Sequence, residues 1–262
     1  MKWTIPVSFL ALTLALSGCG QKAAPSQDAQ AAKPKGLEKL IIEDVKLGKG
    51  STMFPQVRKV QKGDIVFVHY TGTLKNGIVF DSNMSGDQPP FGFRVGNGDV
   101  IQGWDQGLVG MTVGGERKLS IPAKLAYGEV SPTADIPANS DLYFTIKLLD
   151  MVNNGDELVY DKKDITVGKG KEAKKGSTIT FHYEGLLCDL SKFDSSVERK
   201  KPITIQVGVD KIQPKALDMA IVGMKVGGKR AIRIPPDIGL PPSERVPQNS
   251  LLYFMVELLD VK

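Results

Sequence analysis

An internal repeat is the sequence feature that most restricts the fold of this chain. The motif Val-His-Tyr-Thr-Gly at residues 68–72 returns as Phe-His-Tyr-Glu-Gly at residues 181–185, 113 positions later. The same offset relates Phe-Asp-Ser at 80–82 to 193–195, and Gly-Met-Thr-Val-Gly-Gly at 110–115 to Gly-Met-Lys-Val-Gly-Gly at 223–228. Units of this length are much longer than solenoid repeats, so the pattern predicts two tandem domains.

The end of each copy predicts where the domains meet. The apolar segments at 142–150 and 252–260 are only 110 positions apart, so the second copy has lost three residues just before its last strand. The chain of 262 residues has room for two domains of about 110 residues, each with its own core. We therefore expect one domain at 37–152 and a second at 153–262, with a joint at 151–155, where Asn-Gly favours a turn.

The N-terminal segment has the pattern of an export signal. Lys2 precedes an apolar run at 3–16, which is shorter than the roughly 20 residues that span a membrane. The following Leu-Ser-Gly-Cys resembles the lipobox of bacterial lipoproteins, which implies a signal peptide at 1–18 and a lipid on the sulfur of Cys19. An ordinary secretory signal is the alternative, but the small residues before Cys19 and the change of composition after it favour the lipoprotein.

The lipid would tether the protein to a bacterial cell envelope through a flexible linker at 19–36. This linker is rich in Ala, Gln, Lys, Pro and Ser and lacks branched aliphatic or aromatic residues up to position 35, so it cannot bury enough apolar surface to fold. Gly20 after the cysteine suits the periplasmic face of a Gram-negative outer membrane, and a Gram-positive membrane is the alternative.

Charge and reactive side chains argue against several classes of function. The net charge of +5 is spread over lysines that alternate with acids, without the basic and aromatic patch that nucleic-acid binding favours. With Cys19 lipidated, Cys188 has no partner for an intrachain disulfide. His69 and His182 stand alone in strand-like segments, so we expect no metal site, no catalytic triad and no cofactor.

Alternation within each copy predicts strands. Leu142, Phe144, Ile146 and Leu148 fall on one face, and Tyr70 shares the core-facing side of its strand while His69 points away. A short helical pattern at 105–109 follows a stretch in which Ile101, Trp104 and Leu108 form one apolar stripe. Several strands and one short helix predict an α+β domain in which the helix packs on a sheet.

These motifs, in this order and spacing, resemble the FKBP-type peptidyl-prolyl isomerases, which bind macrolide immunosuppressants. The resemblance covers nearly all of residues 37–152 and includes Pro-Phe-Gly-Phe at 90–93, Val-Ile-Gln-Gly-Trp at 100–104 and Ala-Tyr-Gly at 126–128. It implies a twisted antiparallel sheet around a short helix, with a substrate cavity between them. The residues implied to line that cavity are Tyr70, Phe80, Asp81, Phe91, Val100, Ile101, Trp104, Tyr127, Ile136 and Phe144.

The resemblance also implies a mechanism and partners. The Ile101 N–H and the Tyr127 hydroxyl would bind the substrate backbone, and Asp81 would lie beside the reacting carbonyl. Prolyl polypeptides would be the clients. The segment from Phe80 to Phe91 is one residue longer than in well-known members and contains no Arg or Lys. Tyr70, Trp104 and Phe144 are also explained as plain core residues, but an acid beside core aromatics needs a reason of its own.

The second copy keeps part of this set and departs from the rest. It retains Tyr183, Phe193, Asp194 and Phe254, but Ile203 replaces Phe91, Leu217 replaces Trp104, and Pro214 interrupts the approach to the helix. The three-residue loss is expected to remove the counterpart of Tyr127. We therefore expect the second domain to be a chaperone-like or partner-binding module, or a spacer. For the whole protein, the two alternatives are an isomerase of exported proteins and a tethered chaperone with little catalysis.

Overall fold

The computed structural model describes residues 36–51, 53–54, 58–85, 88–209 and 212–262. The expected signal peptide, Cys19 and almost all of the linker lie outside these residues. Within them, no helix has the length and apolar character needed to cross a membrane.

The first half of the chain forms one antiparallel sheet, in which strand order is β1-β5-β6-β2-β3 and β4 also pairs with β2. Its strands are β1 (Ile41–Lys46), β2 (Ile65–Thr73), β3 (Val79–Ser82), β4 (Phe91–Arg94), β5 (Glu116–Ile121) and β6 (Leu142–Val152), and its helix is α1 (Gln102–Gly107).

The second half repeats this topology, with order β10-β8-β12-β11-β7 and β9 paired with β8. Its elements are β7 (Asp161–Thr166), β8 (Thr178–Leu187), β9 (Lys192–Ser195), β10 (Ile203–Gln206), α2 (Lys215–Ile221), β11 (Lys229–Ile234) and β12 (Leu252–Val261). Two antiparallel sheets, each with one short helix, confirm the expected pair of α+β domains.

The helix of the first domain lies very close to its sheet. A Cβ atom at Gly103 would lie 2.4 Å from Ile121 Cγ2, and one at Gly107 would lie 2.6 Å from Leu119 Cδ1. The sequence pattern placed the helix at 105–109, which is wrong at both ends. The helix begins at Gln102 because Ile101, with extended ψ, precedes it, and the chain leaves the helix before Gly110, whose φ is +85°.

Alternation in β6 gives the first domain its core, as the sequence predicts. Leu142, Ile146 and Leu148 are fully buried, and Phe144 is 7% exposed. The joint, however, starts later than the expected residue 151, because Met151 and Val152 are buried members of β6 that pair with β2.

The other face of the first sheet packs against the second domain. Phe67 and Ile65 share a buried apolar cluster with Cys188, Leu251 and Tyr253. His69 points away from the first core, as expected, and its Nε2 lies 3.3 Å from Asp189 Oδ2. The second domain therefore covers the face of β2 opposite to Tyr70.

A buried polar network crosses this interface. Arg233 of β11 donates to Asp150 of β6 over 3.1 Å, and Tyr253 donates to the same carboxylate. The side chains of Asp150 and Arg233 are only 1% and 3% exposed. Because removing either partner would leave an unpaired buried charge, which is very costly, the two domains are expected to keep this contact.

Candidate functional site

Six aromatic rings gather on the inner face of the first sheet, and Trp104 is at their centre. We call Tyr70, Phe80, Phe91, Phe93, Trp104 and Phe144 the aromatic cluster. The ring centroid of Trp104 lies 5.0 Å from that of Tyr70, 5.2 Å from Phe144 and 5.6 Å from Phe93. The Tyr70 and Phe144 contacts are edge-to-face, the geometry that aromatic pairs favour.

The centre of the cluster is buried and its edge is open. Trp104 and Phe144 are 4% and 7% exposed, so both also serve as core residues. Tyr70, Phe80 and Phe91 are half-buried. The cluster therefore offers a partly exposed apolar and aromatic surface.

Phe93 was not among the residues expected to line the site. It is 4% exposed, and its ring stacks on Phe91 at 5.4 Å. The sequence could have predicted this position, because Phe91 and Phe93 are two positions apart in a strand and so share a face.

One carboxylate lies at the edge of the cluster. The hydroxyl of Tyr70 donates to Asp81 Oδ2 over 2.5 Å, which joins β2 to β3. Burial, and then this hydrogen bond to Asp81, raise the pKa of Tyr70 well above its usual value. Tyr70 therefore remains a protonated donor at any ordinary pH.

Two further donors lie at this edge without partners inside the described part of the chain. One is the N–H of Ile101, which directly precedes α1 and whose own carbonyl accepts from Trp104 N. The other is the Tyr127 hydroxyl, on a residue that follows a short 3-10 turn at Ala123–Leu125. Burial, and then the charge of Asp81, raise the pKa of Tyr127. Both donors are available for a bound molecule.

The structure brings the expected lining residues together. Trp104, Phe144 and Ile136 belong to the core cluster of the first domain, and Tyr70, Phe80, Phe91, Val100, Ile101 and Tyr127 pack against it. Ile136 is only 5% exposed, so it contributes mainly from beneath the surface. Asp81 joins this set through the hydrogen bond that it accepts from the Tyr70 hydroxyl.

Asn83 is a positioning residue that the sequence did not reveal. Its side chain is buried and uses all of its polar atoms near the site. Oδ1 accepts from Tyr70 N over 2.6 Å, and Nδ2 donates to the carbonyls of Val68 at 3.2 Å and Pro89 at 3.1 Å. Asn83 thus ties the strand that carries Tyr70 to the segment that leads into Phe91.

The second domain has the same framework with different chemistry. Tyr183 donates to Asp194, as Tyr70 does to Asp81, but here Arg199 also binds Asp194. Arg199 Nη2 donates to the Tyr183 oxygen over 3.1 Å, and its guanidinium lies 5.8 Å from the centroid of the Tyr183 ring. The acid of the second domain is therefore paired with a cation.

The expected loss of the Tyr127 counterpart is wrong in detail. The 3-10 turn at Pro236–Ile238 matches the turn at Ala123–Leu125, and the hydrogen bonds that close the two turns also correspond. Leu240, which packs on the second core, therefore stands where Tyr127 stands. The three residues are missing after Leu240, because Val246 and Ile136 are equivalently buried and lie 110 positions apart.

A family model described as FKBP-type peptidyl-prolyl cis-trans isomerase matches residues 56–149 and 169–259, which together are more than half of the chain. Human peptidyl-prolyl cis-trans isomerase FKBP10 is 35% identical over 206 residues, covering 78% of this chain and 35% of the relative. FK506-binding protein 4 of Rhizopus delemar is 51% identical over 118 residues, covering 45% of this chain and 28% of the relative.

Among solved structures, the three FKBP domains of wheat FKBP73 are similar with a TM-score of 0.38 and 20% identity, covering 85% of this chain and 94% of that chain. The chain spans about a third of the length of the first curated relatives that it matches. Two matched segments, each containing most of one sheet and its short helix, show that this chain belongs to the FKBP-type peptidyl-prolyl cis-trans isomerase family with two tandem domains.

Proposed function

We propose that the first domain is a peptidyl-prolyl cis-trans isomerase that acts on proteins folding after export. The observation that carries this proposal is the pairing of an open aromatic cluster with two unpartnered donors, the Ile101 N–H and the Tyr127 hydroxyl. A prolyl ring would pack on Trp104, while the two donors would bind the backbone on either side of it.

The mechanism follows from the electronic structure of the amide. Rotation about a peptide bond meets a barrier of about 18–20 kcal/mol because resonance is lost on twisting. X-Pro bonds populate both isomers but exchange over roughly tens to hundreds of seconds, which is slow enough to limit folding. A twisted amide is less dipolar than a planar one, so an apolar aromatic surface disfavours the planar state more than the transition state.

The residues of the first domain would divide this work. The aromatic cluster would exclude water from the amide, and Ile101 and Tyr127 would fix the substrate backbone. Asp81, held by Tyr70, would lie beside the reacting carbonyl. None of these roles needs a nucleophile, a metal ion or a cofactor.

The second domain is proposed to bind without isomerising. Pro214 stands at the position of Ile101 and has no N–H to donate, and Leu240 lacks the hydroxyl of Tyr127. An aliphatic and aromatic surface without these donors fits apolar side chains of a client without orienting its backbone. This arrangement favours the second candidate function, a tethered chaperone.

The cellular setting is proposed from the sequence alone. The Leu-Ser-Gly-Cys motif supports lipid attachment at Cys19 and a place in a bacterial envelope, with the outer membrane suggested by Gly20. Replacing Cys19 with Ser in the producing cell should abolish incorporation of labelled palmitate and release the protein from the membrane fraction. Unchanged labelling would remove the lipid proposal while leaving the isomerase proposal intact.

A protease-coupled assay with a prolyl peptide tests the isomerase proposal. Tyr70→Phe, Asp81→Leu and Trp104→Ala should each lower kcat/KM, whereas the matched Tyr183→Phe and Asp194→Leu should not. Circular dichroism of each variant reports whether it is folded. An inactive wild-type protein would remove the isomerase proposal, and suppression of client aggregation by that protein would support the chaperone.

The Rhizopus relative is named as an FK506-binding protein. Inhibition by FK506 in the same assay tests whether the first domain of this chain also binds such a macrolide.

A further inference from the structure

Asp81 lacks the cation that pairs with its counterpart in the second domain, Asp194, and it is more exposed than Asp194. In the second domain, Arg199 binds both Asp194 and Tyr183. In the first domain, Asp81 is exposed and accepts the Tyr70 hydroxyl, and no Lys, Arg or His side chain of the described residues lies within ion-pair distance of it. The same Tyr-Asp pair therefore occurs in both domains, but only in the second domain does a cation compensate the charge of the aspartate.

The segments that line the first site add further negative charge to that of Asp81. Residues 80–93, 96–105 and 126–141 supply most of the lining, and their sequences contain several acids and no Lys or Arg, although the chain has 34 Lys and Arg against 29 acids. Asp99, Glu129 and Asp135 of these segments are exposed. The segments that line the first site therefore carry a net negative charge on a protein that is cationic as a whole.

The nearest basic residues along the chain do not cancel this charge at Asp81. Arg94 donates to Glu157 and to the Gly63 carbonyl, on the side of β4 opposite to Phe91 and Phe93. Lys75 lies in the turn between β2 and β3, and Lys124 lies in the 3-10 turn; both are exposed. A cation brought by the substrate would thus be the counterion of Asp81.

We propose that Asp81 makes the first domain selective for polypeptides in which Lys or Arg directly precedes the proline. This inference rests on the proposed isomerase function, which places Asp81 beside the X-Pro carbonyl and so beside the residue that precedes the proline. A lysine or arginine side chain at that position is long and flexible enough to reach an exposed carboxylate near its own carbonyl. Two unit charges about 6 Å apart in a water-like dielectric favour such a substrate by about threefold at low salt.

A peptide series that differs only in the residue before the proline tests this inference on the full chain. With Lys, Gln and Glu at that position, kcat/KM should fall in this order, with Lys about threefold above Gln at low ionic strength. Raising the salt concentration to about 1 M should bring the ratio close to one, because the screening length falls to about 3 Å.

Asp81→Asn should also bring the Lys-to-Gln ratio close to one, even where it lowers the rate for every peptide, since the ratio is independent of the overall rate. Asp194→Asn is the matched control and should keep the ratio. Asp135→Asn removes an exposed charge of the lining segments that is not held by Tyr70, and it should lower the ratio only slightly.

The outcomes separate this inference from the proposed function. Equal rates for all three peptides would overturn the selectivity and leave the isomerase standing. A ratio that persists in Asp81→Asn would overturn the assignment to Asp81. A protein that isomerises none of the peptides would overturn the proposed function, and the selectivity would fall with it.

Discussion

Pro214 of the second domain stands where Ile101 stands in the first, and each residue directly precedes the short helix of its domain. Ile101 has a backbone N–H without a partner among the described residues, whereas proline has no N–H at all. In the proposed mechanism, this single position of the repeat decides whether a domain can hold a substrate carbonyl at this point.

The two domains also differ at the Tyr127 position, and exchanging the residues there tests whether the N–H of Ile101 is needed for activity. Tyr127→Leu copies Leu240 and should lower kcat/KM by about tenfold, since one hydrogen bond to the substrate is lost. The reciprocal Leu240→Tyr should add no activity to the full chain, because Pro214 still offers no N–H. A clear gain of rate in Leu240→Tyr, measured with Trp104→Ala in the same chain, would contradict the role given to Ile101.

Asn83→Ser separates the contact that Asn83 makes with Tyr70 from the contact that it makes with Pro89. The counterpart in the second domain is Ser196, whose hydroxyl accepts from Tyr183 N over 2.8 Å. A serine at 83 should keep the contact with Tyr70 N but is too short to reach the Pro89 carbonyl. We expect KM to rise by about threefold to fivefold, from the loss of about one hydrogen bond that orders the segment before Phe91, with a smaller change in kcat.

A purely structural role for Asn83 predicts a different result. In that case Asn83→Ser would lower the free energy of unfolding in urea, and KM and kcat of the folded fraction would stay at wild-type values. Asn83→Ala, which loses the contacts to both Tyr70 and Pro89, should lower kcat as well as raise KM.

The rate of the proposed isomerase should not depend on pH between about pH 6 and pH 9. Burial is the main cause that raises the pKa of both Tyr70 and Tyr127, and the nearby Asp81 raises both further. A raised pKa keeps each hydroxyl protonated up to a higher pH, so both remain donors throughout this interval. A bell-shaped profile of kcat/KM with a midpoint inside the interval would show that another titrating group takes part.

Arg233→Met should separate the unfolding of the two domains. It leaves the buried Asp150 without its cation, and removing one partner of a buried ion pair costs about 3–5 kcal/mol. We expect urea unfolding, followed by tryptophan fluorescence of Trp104 and by circular dichroism, to give two transitions instead of one. Arg230→Met is the control, because Arg230 is also buried but pairs with the exposed Asp164 inside the second domain. A single unshifted transition in Arg233→Met would show that the network does not couple the domains.

Much of this architecture was predictable from the sequence, because local patterns decide it. The period of the repeat indicated two similar domains, and alternation identified the buried face of β6 and the orientation of Tyr70 and His69. The bounds of α1 were not predictable from its apolar stripe, since the close packing of Gly103 and Gly107 on β5 depends on contacts with Ile121 and Leu119.

The sequence by itself determined the repeated fold and the family, and it predicted most of the residues that gather around Trp104, although not Phe93. Tertiary structure decided the rest, because hydrogen bonds and charges act between residues that are distant along the chain. Only the folded chain shows that Asn83 binds Tyr70 and Pro89, that Leu240 takes the place of Tyr127, and that Asp150 is buried against Arg233. It also shows the contrast on which the proposed selectivity rests, since Arg199 binds Asp194 in one domain while Asp81 has no cation among the described residues in the other.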